Sequence, residues 1–579
     1  MKIKHFFGLA VLAAMTASCS SNNDLVNGGN GSGENESGAS YASFSINLPT
    51  TRGTRADSGP TFEKGDANEY DVYNATLLVF EKGTAASKEG DYTLAETVDL
   101  GSMEPWKKDP SETGVTTQAK ITAKLEKVDK NGDFFALVLL NNGSGANAKV
   151  TVPSVGTKFS EWNVATNANA TNFTDTKKGF YMANAPLYNS TNKSVTTLVP
   201  IKKENIFSTE AQASSGEAAA DIYVERGLAK VTLTTATKDE KDVGGSTYAG
   251  DKVTISKWAL DVTNLKTFPI HNVDGLSTDY TDIWNNDAPA TAAPSTPSTQ
   301  RFVDNSEAIA KRVYWGTDPN YKETNLSAET TESKNARIEN FNYVKKGALT
   351  ADPTAPQYCL ENTFNLTNMV QGQTTRVIFK ASYTPKDFTE TDGKTFYKVG
   401  TSVALWKQKD LANHIKAAVT KVITDATTDN TTIKLDATDN DITTAGNHEI
   451  KASNIIVTGH DVTDAEVKAV NDKVGLTEKA GISTYANGES YYIARIKHFG
   501  DALTPWTSGA YGENNLAYLG RYGMLRNNWY ELDVQNVSGP GYPDVPEVKP
   551  NTPDDEDDKY IKVSVKILDW AKRSQSVDL

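Results

Sequence analysis

A strictly alternating stretch near the amino terminus constrains the fold of this chain more than any other feature. Residues 41–48 read Tyr-Ala-Ser-Phe-Ser-Ile-Asn-Leu. The apolar members are Ala42, Phe44, Ile46 and Leu48, and a small polar residue stands between each pair. A period of two is typical of a β-strand that buries one of its faces. We therefore predict a half-buried strand here.

The residues that follow this strand make it removable. Segment 49–57 reads Pro-Thr-Thr-Arg-Gly-Thr-Arg-Ala-Asp and holds Arg52 and Arg55 among small and polar residues. Exposed segments of this composition are preferred sites of proteolysis. We expect a trypsin-like protease to cut after one of the two arginines, which would separate the strand from the rest of the chain.

The first 19 residues have the pattern of a secretory signal. Two lysines precede an apolar run over 6–14, and Ala17-Ser18-Cys19 follows. The run is shorter than the ~20 residues that a membrane-spanning helix needs. The last three residues resemble a bacterial lipobox, which would make Cys19 the acylated first residue after cleavage, carrying palmitate; the alternative is an ordinary signal peptide with an incidental cysteine. Residues 20–40, rich in Ser, Asn and Gly, are predicted to form a flexible tether.

Length, charge and cysteine content restrict the class of protein. A chain of 579 residues can bury large cores and is expected to hold two or more domains. Its formal charge of −14 argues against a nucleic-acid partner, whose phosphates it would repel. Cys19 and Cys359 are its two cysteines, so an exported form with Cys19 acylated has no internal disulfide. We interpret Cys359 as a small core residue.

Most of the remaining periodic segments have the pattern of β-strands. They are 74–80, 133–140, 221–233, 253–262, 376–383, 491–496 and 529–534. We predict that segment 221–233 is one strand, kinked at Gly227. A domain boundary is expected in or near the polar loop 238–251. The Asn-Gly pair at 131–132 is interpreted as a hairpin turn and not as half of a calcium loop.

Helical spacing occurs in two segments of the second half. Apolar residues recur at helical intervals over 405–423, which predicts an amphipathic helix. A second, shorter helix is predicted over 465–474, capped by Thr463 or Asp464. The fold class is therefore mainly β, with a few short helices inserted in the second domain.

The carboxy-terminal segment has an unusual order. Residues 539–558 are rich in proline and end in acids, which predicts an extended, solvated spacer. Alternation then resumes over 560–570, and a strand on a terminal spacer suits donation to another molecule. The candidate donor residues are Ile561, Val563, Val565, Ile567, Trp570, Val577 and Leu579. Two alternatives stay open: 561–568 inserts into a neighbour, or it completes its own domain while 571–579 reach out.

Neither catalysis nor a cofactor is indicated. None of the six histidines forms a metal-ligand pair at helical spacing, and neither a serine elbow nor a phosphate-binding glycine loop is present. We expect that the protein is not an enzyme and that it binds neither a metal nor a cofactor. A rival interpretation is a surface lipoprotein that binds glycans without polymerising, through tryptophans that stack on sugars. Its candidates are Trp106, Trp162, Trp315, Trp406 and Trp506, which we interpret mainly as packing residues.

Several short motifs in a fixed order carry a family resemblance. They are the lipobox at Cys19, Arg55-Ala56 after the first strand, Val224-Glu225-Arg226 with Ala229-Lys230-Val231, Cys359-Leu360-Glu361-Asn362-Thr363, Leu525-Arg526-Asn527-Asn528-Trp529-Tyr530, and Trp570 with Val577-Asp578-Leu579. Together they resemble the fimbrillins of Bacteroidales, a family of type V pilins, and within it the shaft subunit of the short (minor) fimbria.

The resemblance implies a fold, a maturation path and partners. It implies two transthyretin-like β-sandwich domains and a donor-strand extension. The expected divisions are a signal with lipobox (1–19), a tether with the removable strand (20–55), an amino-terminal domain (56–240), a carboxy-terminal domain (241–538) and a spacer with the donor strand (539–579).

In such a family a lipidated precursor at the outer membrane loses its first strand. The core-facing residues of the displaced strand would here be Phe44, Ile46 and Leu48. An arginine-specific protease would cut after Arg55, with Arg52 as the alternative. The tail of another copy then fills the gap, and repetition builds an extracellular fimbrium for adhesion and biofilm formation. Accessory anchor and tip pilins and receptors on host or bacterial surfaces are the further implied partners.

Overall fold

The structure is a computed structural model of the whole chain, and it describes a defined set of residues. These are 39–48, 67–102, 118–174, 178–189, 191, 194–276, 303, 310–323, 326, 328–477, 480–499, 504, 518–553 and, for the backbone, 561–568.

The described chain is mainly β. The strands of its first part are β1 (Ser40–Asn47), β2 (Asn74–Glu81), β3 (Thr93–Ser102), β4 (Gln118–Leu125), β5 (Phe134–Leu140), β6 (Thr166–Asn167), β7 (Met182–Asn184), β8 (Leu187–Asn189), β9 (Ser194–Thr196), β10 (Val199–Pro200), β11 (Ala220–Arg226) and β12 (Ala229–Leu233). The strands that follow are β13 (Lys241–Asp242), β14 (Lys252–Asp261), β15 (Thr263–Asn264), β16 (Lys266–Thr267), β17 (Ala310–Arg312), β18 (Phe341–Asn342), β19 (Gln357–Cys359), β20 (Arg376–Thr384), β21 (Phe396–Val399), β22 (Leu405–Trp406), β23 (Thr431–Ile433), β24 (Asp436–Ala437), β25 (Asn440–Asp441), β26 (Gly446–His448), β27 (Ile455–Val457), β28 (Ile482–Tyr485), β29 (Glu489–Arg495), β30 (Trp529–Val537) and β31 (Ile561–Leu568).

The α-helices of the described residues are short or belong to the second half. They are α1 (Ala67–Tyr70), α2 (Phe159–Trp162), α3 (Ala170–Phe173), α4 (Glu210–Ser215), α5 (Thr331–Asn340), α6 (Gln408–Val422) and α7 (Asp464–Val474).

One large sheet forms the first half of the molecule. Its strand order is β3-β2-β5-β7-β11-β1-β4, and β10 also pairs with β5. The sheet curves so that residues of β1 and β4 share one apolar core with residues of β2 and β5. The opposite side of β2 and β5 packs on the aromatic residues of α2 and α3. We call this unit the first sandwich.

Two four-stranded sheets face each other in the second half. Their orders are β19-β12-β30-β31 and β13-β14-β20-β29. Alternating residues of both sheets meet in a common core that includes Val231, Trp258, Phe379 and Tyr530. Facing sheets that bury their inner sides in this way are typical of a β-sandwich. We call this unit the second sandwich.

The helices α6 and α7 belong to an insertion between β20 and β29, which are themselves paired. This insertion has a core of its own, to which Leu411, Ile415 and Val419 of α6 and Val470 of α7 contribute. The second predicted helix is confirmed, with Thr463 as its cap. The first begins later than predicted, because residues 405–406 form β22 against β21.

Segment 221–233 is not one kinked strand, as the sequence pattern predicted, but two strands in different sheets. β11 belongs to the first sandwich and β12 to the second, and the chain crosses between them at Gly227 and Leu228. A Cβ added at Gly227 would lie 2.9 Å from the ring of Tyr181, so this crossing needs a residue without a side chain. The sheets therefore change ahead of the boundary expected near 238–251.

The turn at 129–133 is confirmed, but it does not close a hairpin. The Asp129 carboxylate accepts hydrogen bonds from the backbone N–H groups of Asn131 and Gly132, at 2.7 and 2.9 Å. The strands on either side, β4 and β5, lie far apart in the sheet order.

Candidate functional site

The first strand occupies an interior position of the first sandwich. β1 runs parallel to β11 and antiparallel to β4, so that Phe44 stands opposite Ala220 on one side and Ile121 on the other. All eight residues of β1 have a register partner on β4. We call the position between β4 and β11 the β1 lane.

The predicted apolar face of β1 is fully buried. Phe44 and Ile46 are inaccessible to solvent and Leu48 is 2 % exposed, and all three belong to the core shared with β2 and β5. Burial of a side chain of this size stabilises a fold by about 1.5 to 3 kcal/mol. The three together hold β1 in its lane by roughly 5 to 9 kcal/mol before any backbone hydrogen bond is considered.

The opposite face of β1 is also buried, which corrects the prediction of a half-buried strand. Ser43 is inaccessible and Asn47 is 4 % exposed. The Ser43 hydroxyl donates to the Ala213 carbonyl oxygen at 2.6 Å. The Asn47 amide donates to the Asp221 carboxylate at 2.6 Å. Because these bonds form in one register only, the polar residues fix the position of β1 along its lane.

Helix α4 covers this second face at Ser43. Its Ala213 lies directly over Ser43, whose hydroxyl also lies 2.8 Å from that of Thr122 on β4. The sequence pattern did not reveal the cover, because α4 is far from β1 in the chain. The small size of all the polar residues in β1 was the signal that could have indicated a closely packed second face.

The predicted processing residues lie outside the described residues. These are Cys19, Arg52 and Arg55. The described chain ends at Leu48 and resumes at α1, so the interval 49–66 that contains both arginines begins at the end of the β1 lane and ends at α1.

Helix α1 is anchored between the two sandwiches through Glu69. The Glu69 side chain is inaccessible, and its carboxylate lies 2.5 Å from the Lys230 ammonium and accepts a hydrogen bond from the Tyr358 hydroxyl at 2.6 Å. Its backbone carbonyl accepts from Arg226 Nε at 2.7 Å. Arg226 ends β11 and Lys230 belongs to β12, so Glu69 binds both sides of the crossing. The chain that follows the predicted cleavage sites is therefore fixed to the junction.

A second cluster of buried charges lies at the same junction. Glu225 contacts His271 Nδ1 at 2.7 Å and Arg312 at 2.9 Å. Burial alone would raise the pKa of Glu225, but His271, Arg312 and Arg526 outweigh it and hold this pKa below its usual value. Arg526 in turn pairs with Glu361 at 3.1 Å.

The motif residues that carried the family resemblance come together here. The segments 224–231, 359–363 and 525–530 all contribute to the junction: Asn527 accepts from the Arg226 backbone N–H, and Lys230 lies over the Trp529 ring at 4.1 Å. Sequence reasoning missed these charged residues as a cluster. Charges inside otherwise apolar strand patterns were the available signal, since such charges are buried only when paired.

A continuous path of paired strands connects the β1 lane with the end of the chain. β11 forms one wall of the lane and continues through Gly227 and Leu228 into β12. β12 pairs with β30, and β30 pairs with β31. The wall of the lane is therefore connected to the last described strand, first through the covalent chain from β11 to β12 and then through the paired strands β12, β30 and β31.

The described part of the predicted donor segment lies in its own second sandwich. β31 is the edge strand of its sheet and pairs antiparallel with β30. In this register Ile561, Val563, Val565 and Ile567 stand opposite Val537, Val534, Leu532 and Tyr530. Trp570, Val577 and Leu579 lie outside the described residues. Within a single chain, the alternative in which 561–568 completes its own domain is the one observed.

Residues 539–553 are not a solvated spacer, as their composition predicted. They run along the second sandwich, where Tyr542 and Tyr491 exchange two backbone hydrogen bonds of 2.7 and 2.9 Å. Further along, the Pro546 carbonyl accepts from Arg376 at 2.8 Å, and the Thr552 carbonyl from the Gln371 N–H at 2.9 Å. Proline supplies carbonyl acceptors without needing partners for an N–H, so a proline-rich segment can dock in this way.

Three residues considered for other functions, Trp162, Trp315 and Cys359, are buried. Trp162 and Trp315 are buried, so neither presents a ring to a sugar. Cys359 lies in the core of the second sandwich, as predicted, and burial raises the pKa of its thiol to about 12. No group of three or more metal-ligating side chains occurs within the described ranges. Across those same ranges, no helix combines the length and hydrophobicity that crossing a membrane requires.

Comparison with known proteins agrees with the resemblance in one segment. The described body is mainly β, with a buried first strand and a paired carboxy-terminal strand. Residues 483–576, which include β29 to β31, match the family described as "Major fimbrial subunit protein type IV, Fimbrillin, C-terminal". This carboxy-terminal part of the chain is similar to the fimbrillin family.

Solved structures give weaker likenesses. A candidate cell adhesion protein from Parabacteroides distasonis is 11 % identical over 92 % of this chain and 99 % of its own, with a TM-score of 0.34. A fimbrial assembly protein from the same organism is 10 % identical over 64 % of this chain and 96 % of its own, with a TM-score of 0.25. None of the curated proteins compared with the chain matches it.

Proposed function

We propose that this protein is a structural pilin of a cell-surface fimbrium, exported as a lipoprotein, activated by arginine-specific proteolysis and polymerised by donor-strand exchange. The observation that carries the proposal is the position of β1. It fills an interior lane with both faces buried, yet the interval 49–66 that joins it to the body holds Arg52 and Arg55. One cut in this interval makes β1 a separate peptide.

Loss of β1 leaves a gap that another strand can fill. An eight-residue strand is about 26 Å long, and its removal leaves unpaired backbone groups on β4 and β11 beside an apolar floor. Such an edge binds an added strand through main-chain hydrogen bonds and pockets for alternate side chains. The buried apolar residues of β1 set the upper limit of the burial that a replacement strand can recover.

The uncut precursor stays monomeric because its own strand competes at high effective concentration. A segment tethered through a short link experiences its binding site at millimolar concentrations or more. Cleavage removes this advantage, and the lane then becomes available to the tail of another copy. Proteolysis is therefore the step that starts assembly.

The tail that fills the lane is the carboxy-terminal segment of a second copy. β31 lies at a sheet edge with one pairing strand, so it leaves its place by breaking one ladder only. One copy then gives its tail and receives the tail of the next. A head-to-tail contact of this kind does not close on itself and yields a filament.

Acylation of Cys19 would hold the precursor at the outer membrane, and cleavage after Arg55, or Arg52, would release it into an extracellular fimbrium. Anchor and tip pilins would end the filament, and receptors on host or bacterial surfaces would bind it. The family match of residues 483–576 supports a fimbrial role.

Replacement of both arginines tests the proposal. The variant R52A/R55A should remain a lipidated monomer, whereas the wild-type protein, treated with an arginine-specific protease, should give a ladder of multimers in electrophoresis without boiling. Lys64→Ala is the matched control, because it changes a basic residue of the same interval and leaves both arginines in place. Normal polymer formation by R52A/R55A would refute the proposal.

A further inference from the structure

One position in the β1 lane accepts only a small, uncharged side chain. Ser43 is inaccessible to solvent beneath α4. Its hydroxyl faces the Ala213 carbonyl at 2.6 Å and the Thr122 hydroxyl at 2.8 Å. Neither of these groups is charged, so a buried ammonium or carboxylate at this position would lose its hydration without gaining an opposite charge. We call this position the Ser43 site.

The Ser43 site does not depend on β1 for its walls. Lys120 and Thr122 of β4 hold the end of α4 themselves: the Lys120 ammonium donates to the Ser214 carbonyl at 2.9 Å, and the Thr122 hydroxyl lies 3.0 Å from that of Ser214. These contacts involve no residue of β1. Helix α4 therefore keeps its cover over the lane when β1 leaves.

The positions on either side of Ser43 are apolar, and the next polar position is less restricted. Ala42 and Phe44 are both inaccessible and point into the core. Ser45 is 9 % exposed and accepts a hydrogen bond from the exposed Gln118 side chain at 2.8 Å. A long side chain in the place of Ser45 can reach solvent past Gln118. A strand that fills the lane must therefore offer a small residue between two apolar ones.

The carboxy-terminal segment contains this triplet once. In 554–579, Ser564 stands between Val563 and Val565. The other small residues of the segment each have a lysine, arginine or glutamine as a neighbour; they are Ala571, Ser574 and Ser576. The alternate polar residues of β31 on either side of Ser564 are lysines, which the Ser43 site does not accommodate.

We propose that Ser564 of a second copy occupies the Ser43 site, with Val563 and Val565 in the places of Ala42 and Phe44. This inference rests on the donor-strand exchange of the proposed function and names the residues that set its register. The assignment is the same for either direction of the incoming strand, because valines flank Ser564 on both sides. A register displaced by two residues would place Lys562 or Lys566 beneath α4.

Differences between β1 and the incoming segment 561–568 explain why β1 keeps the lane until it is cut. At the place of Phe44 the incoming strand has a valine, which fills less of the core. At the place of Ser45 it has Lys562 or Lys566, which would stand opposite Lys120 as a like charge. The donor is thus the weaker occupant, and it succeeds once β1 has been removed.

Disulfide formation between copies tests the register. The cleaved double variant T122C/S564C should give a covalent ladder on a non-reducing gel after boiling, because the corresponding side chains of Ser43 and Thr122 lie 2.8 Å apart. Cys359, the one other cysteine after cleavage at Arg55, is 1 % exposed and does not compete. T122C/K562C and T122C/K566C are the matched controls and should give no such ladder.

Each result of this experiment has one meaning. A covalent ladder with K562C or K566C, and none with S564C, overturns the register while the unboiled gel still shows polymers. If cleaved wild-type protein forms no polymers at all, both the proposed function and the register are wrong. If the R52A/R55A background, in which β1 fills the lane, forms the T122C/S564C ladder equally well, the disulfide does not report the lane, and the inference fails.

Single substitutions give an independent test. S564K should reduce the initial rate of polymerisation by more than about tenfold, because it buries an unpaired ammonium. S564A should reduce this rate by at most about fivefold, the effect of one neutral hydrogen bond. In its own sheet residue 564 stands opposite Asp533, so S564K does not disturb the monomer by charge repulsion. Polymerisation of folded S564K at the wild-type rate would overturn the assignment.

Discussion

Substitution of Phe44 should allow the uncleaved precursor to polymerise. In the proposed function, the precursor stays monomeric because its own strand occupies the β1 lane. Phe44→Ala, made in the R52A/R55A background, weakens that occupation without cutting the chain. We expect this triple variant to form multimers, whereas R52A/R55A itself stays monomeric.

The size of the effect of Phe44→Ala on lane occupation follows from the burial of the Phe44 ring. Phe44 is inaccessible to solvent and lies in the core shared by β1, β2 and β5. Replacement of a fully buried phenylalanine by alanine costs about 3 to 5 kcal/mol. Since every 1.4 kcal/mol is a factor of ten, the fraction of chains with an open lane should rise by roughly a hundred- to a thousand-fold or more. The tail of a second copy can then enter.

The assay combines unboiled electrophoresis with size-exclusion chromatography at several protein concentrations. Phe80→Ala in the same background is the matched control: Phe80 of β2 is equally buried and packs edge-on against Phe159 at 5.6 Å, outside the lane. It should lower the free energy of unfolding without producing multimers. If Phe44→Ala is folded, destabilised and still monomeric at every concentration, occupation of the lane does not control assembly.

Three further predictions concern separate parts of the molecule. Glu69→Gln should lower the free energy of unfolding by about 3 to 5 kcal/mol in urea denaturation, because it leaves the Lys230 ammonium buried without its charged partner; an unchanged midpoint would contradict the role given to the junction. The hydrogen bond to Glu466 is the main reason that the pKa of His460 is raised above 6.5. The stability that the protonated His460–Glu466 pair contributes is therefore complete below pH 6.5 and is lost as the pH rises through the folded-state pKa. Glu466→Gln should lower the pKa of His460 in an NMR titration, and an unmoved titration would show that the pair does not form. Of Val563→Phe and Val565→Phe, the variant whose residue takes the place of Phe44 should slow the dissociation of polymers about tenfold, because its ring fills the part of the core that valine leaves open; faster dissociation of both variants would contradict the proposed register.

The local sequence pattern predicted the position of β1 and its buried apolar face, but not the burial of its polar face. Alternation over 41–48 located the strand, and its apolar face is buried as predicted. Alternation cannot report what packs against the polar face, because this depends on α4 at Ser43 and on β11 at Asn47, both from distant parts of the chain. The burial of Ser43 and Asn47 is therefore a tertiary effect that the sequence pattern does not contain.

The crossing at Gly227 shows a second limit of sequence patterns. Residues 221–233 have the composition of one strand, and the pattern is silent on which sheet each half joins. The outcome depends on pairing with β7 and β1 before the glycine and with β19 and β30 after it. Glu225, Arg226 and Lys230 looked like misplaced charges in a strand, and their partners Glu69, His271 and Asn527 come from elsewhere in the chain.

The docking of 539–553 has a similar explanation. Proline content predicts extended backbone, and the segment does lack helices and strands. It does not predict whether that backbone stays in solvent. Here the partners Tyr491 and Arg376 of the second sandwich provide a main-chain edge and a guanidinium, so the segment lies against the body.

The amino-terminal composition of assembled fimbriae tests the central claim most directly. Fimbriae purified from the cell surface would be denatured and digested, and mass spectrometry would quantify the mature amino terminus together with any peptide from 40–48. The account predicts Ala56 as the first residue of the body, or Gly53 for the alternative cut, with no peptide from β1 present. An acylated Cys19 on the assembled protein, or one copy of the β1 peptide retained for each body, would contradict it.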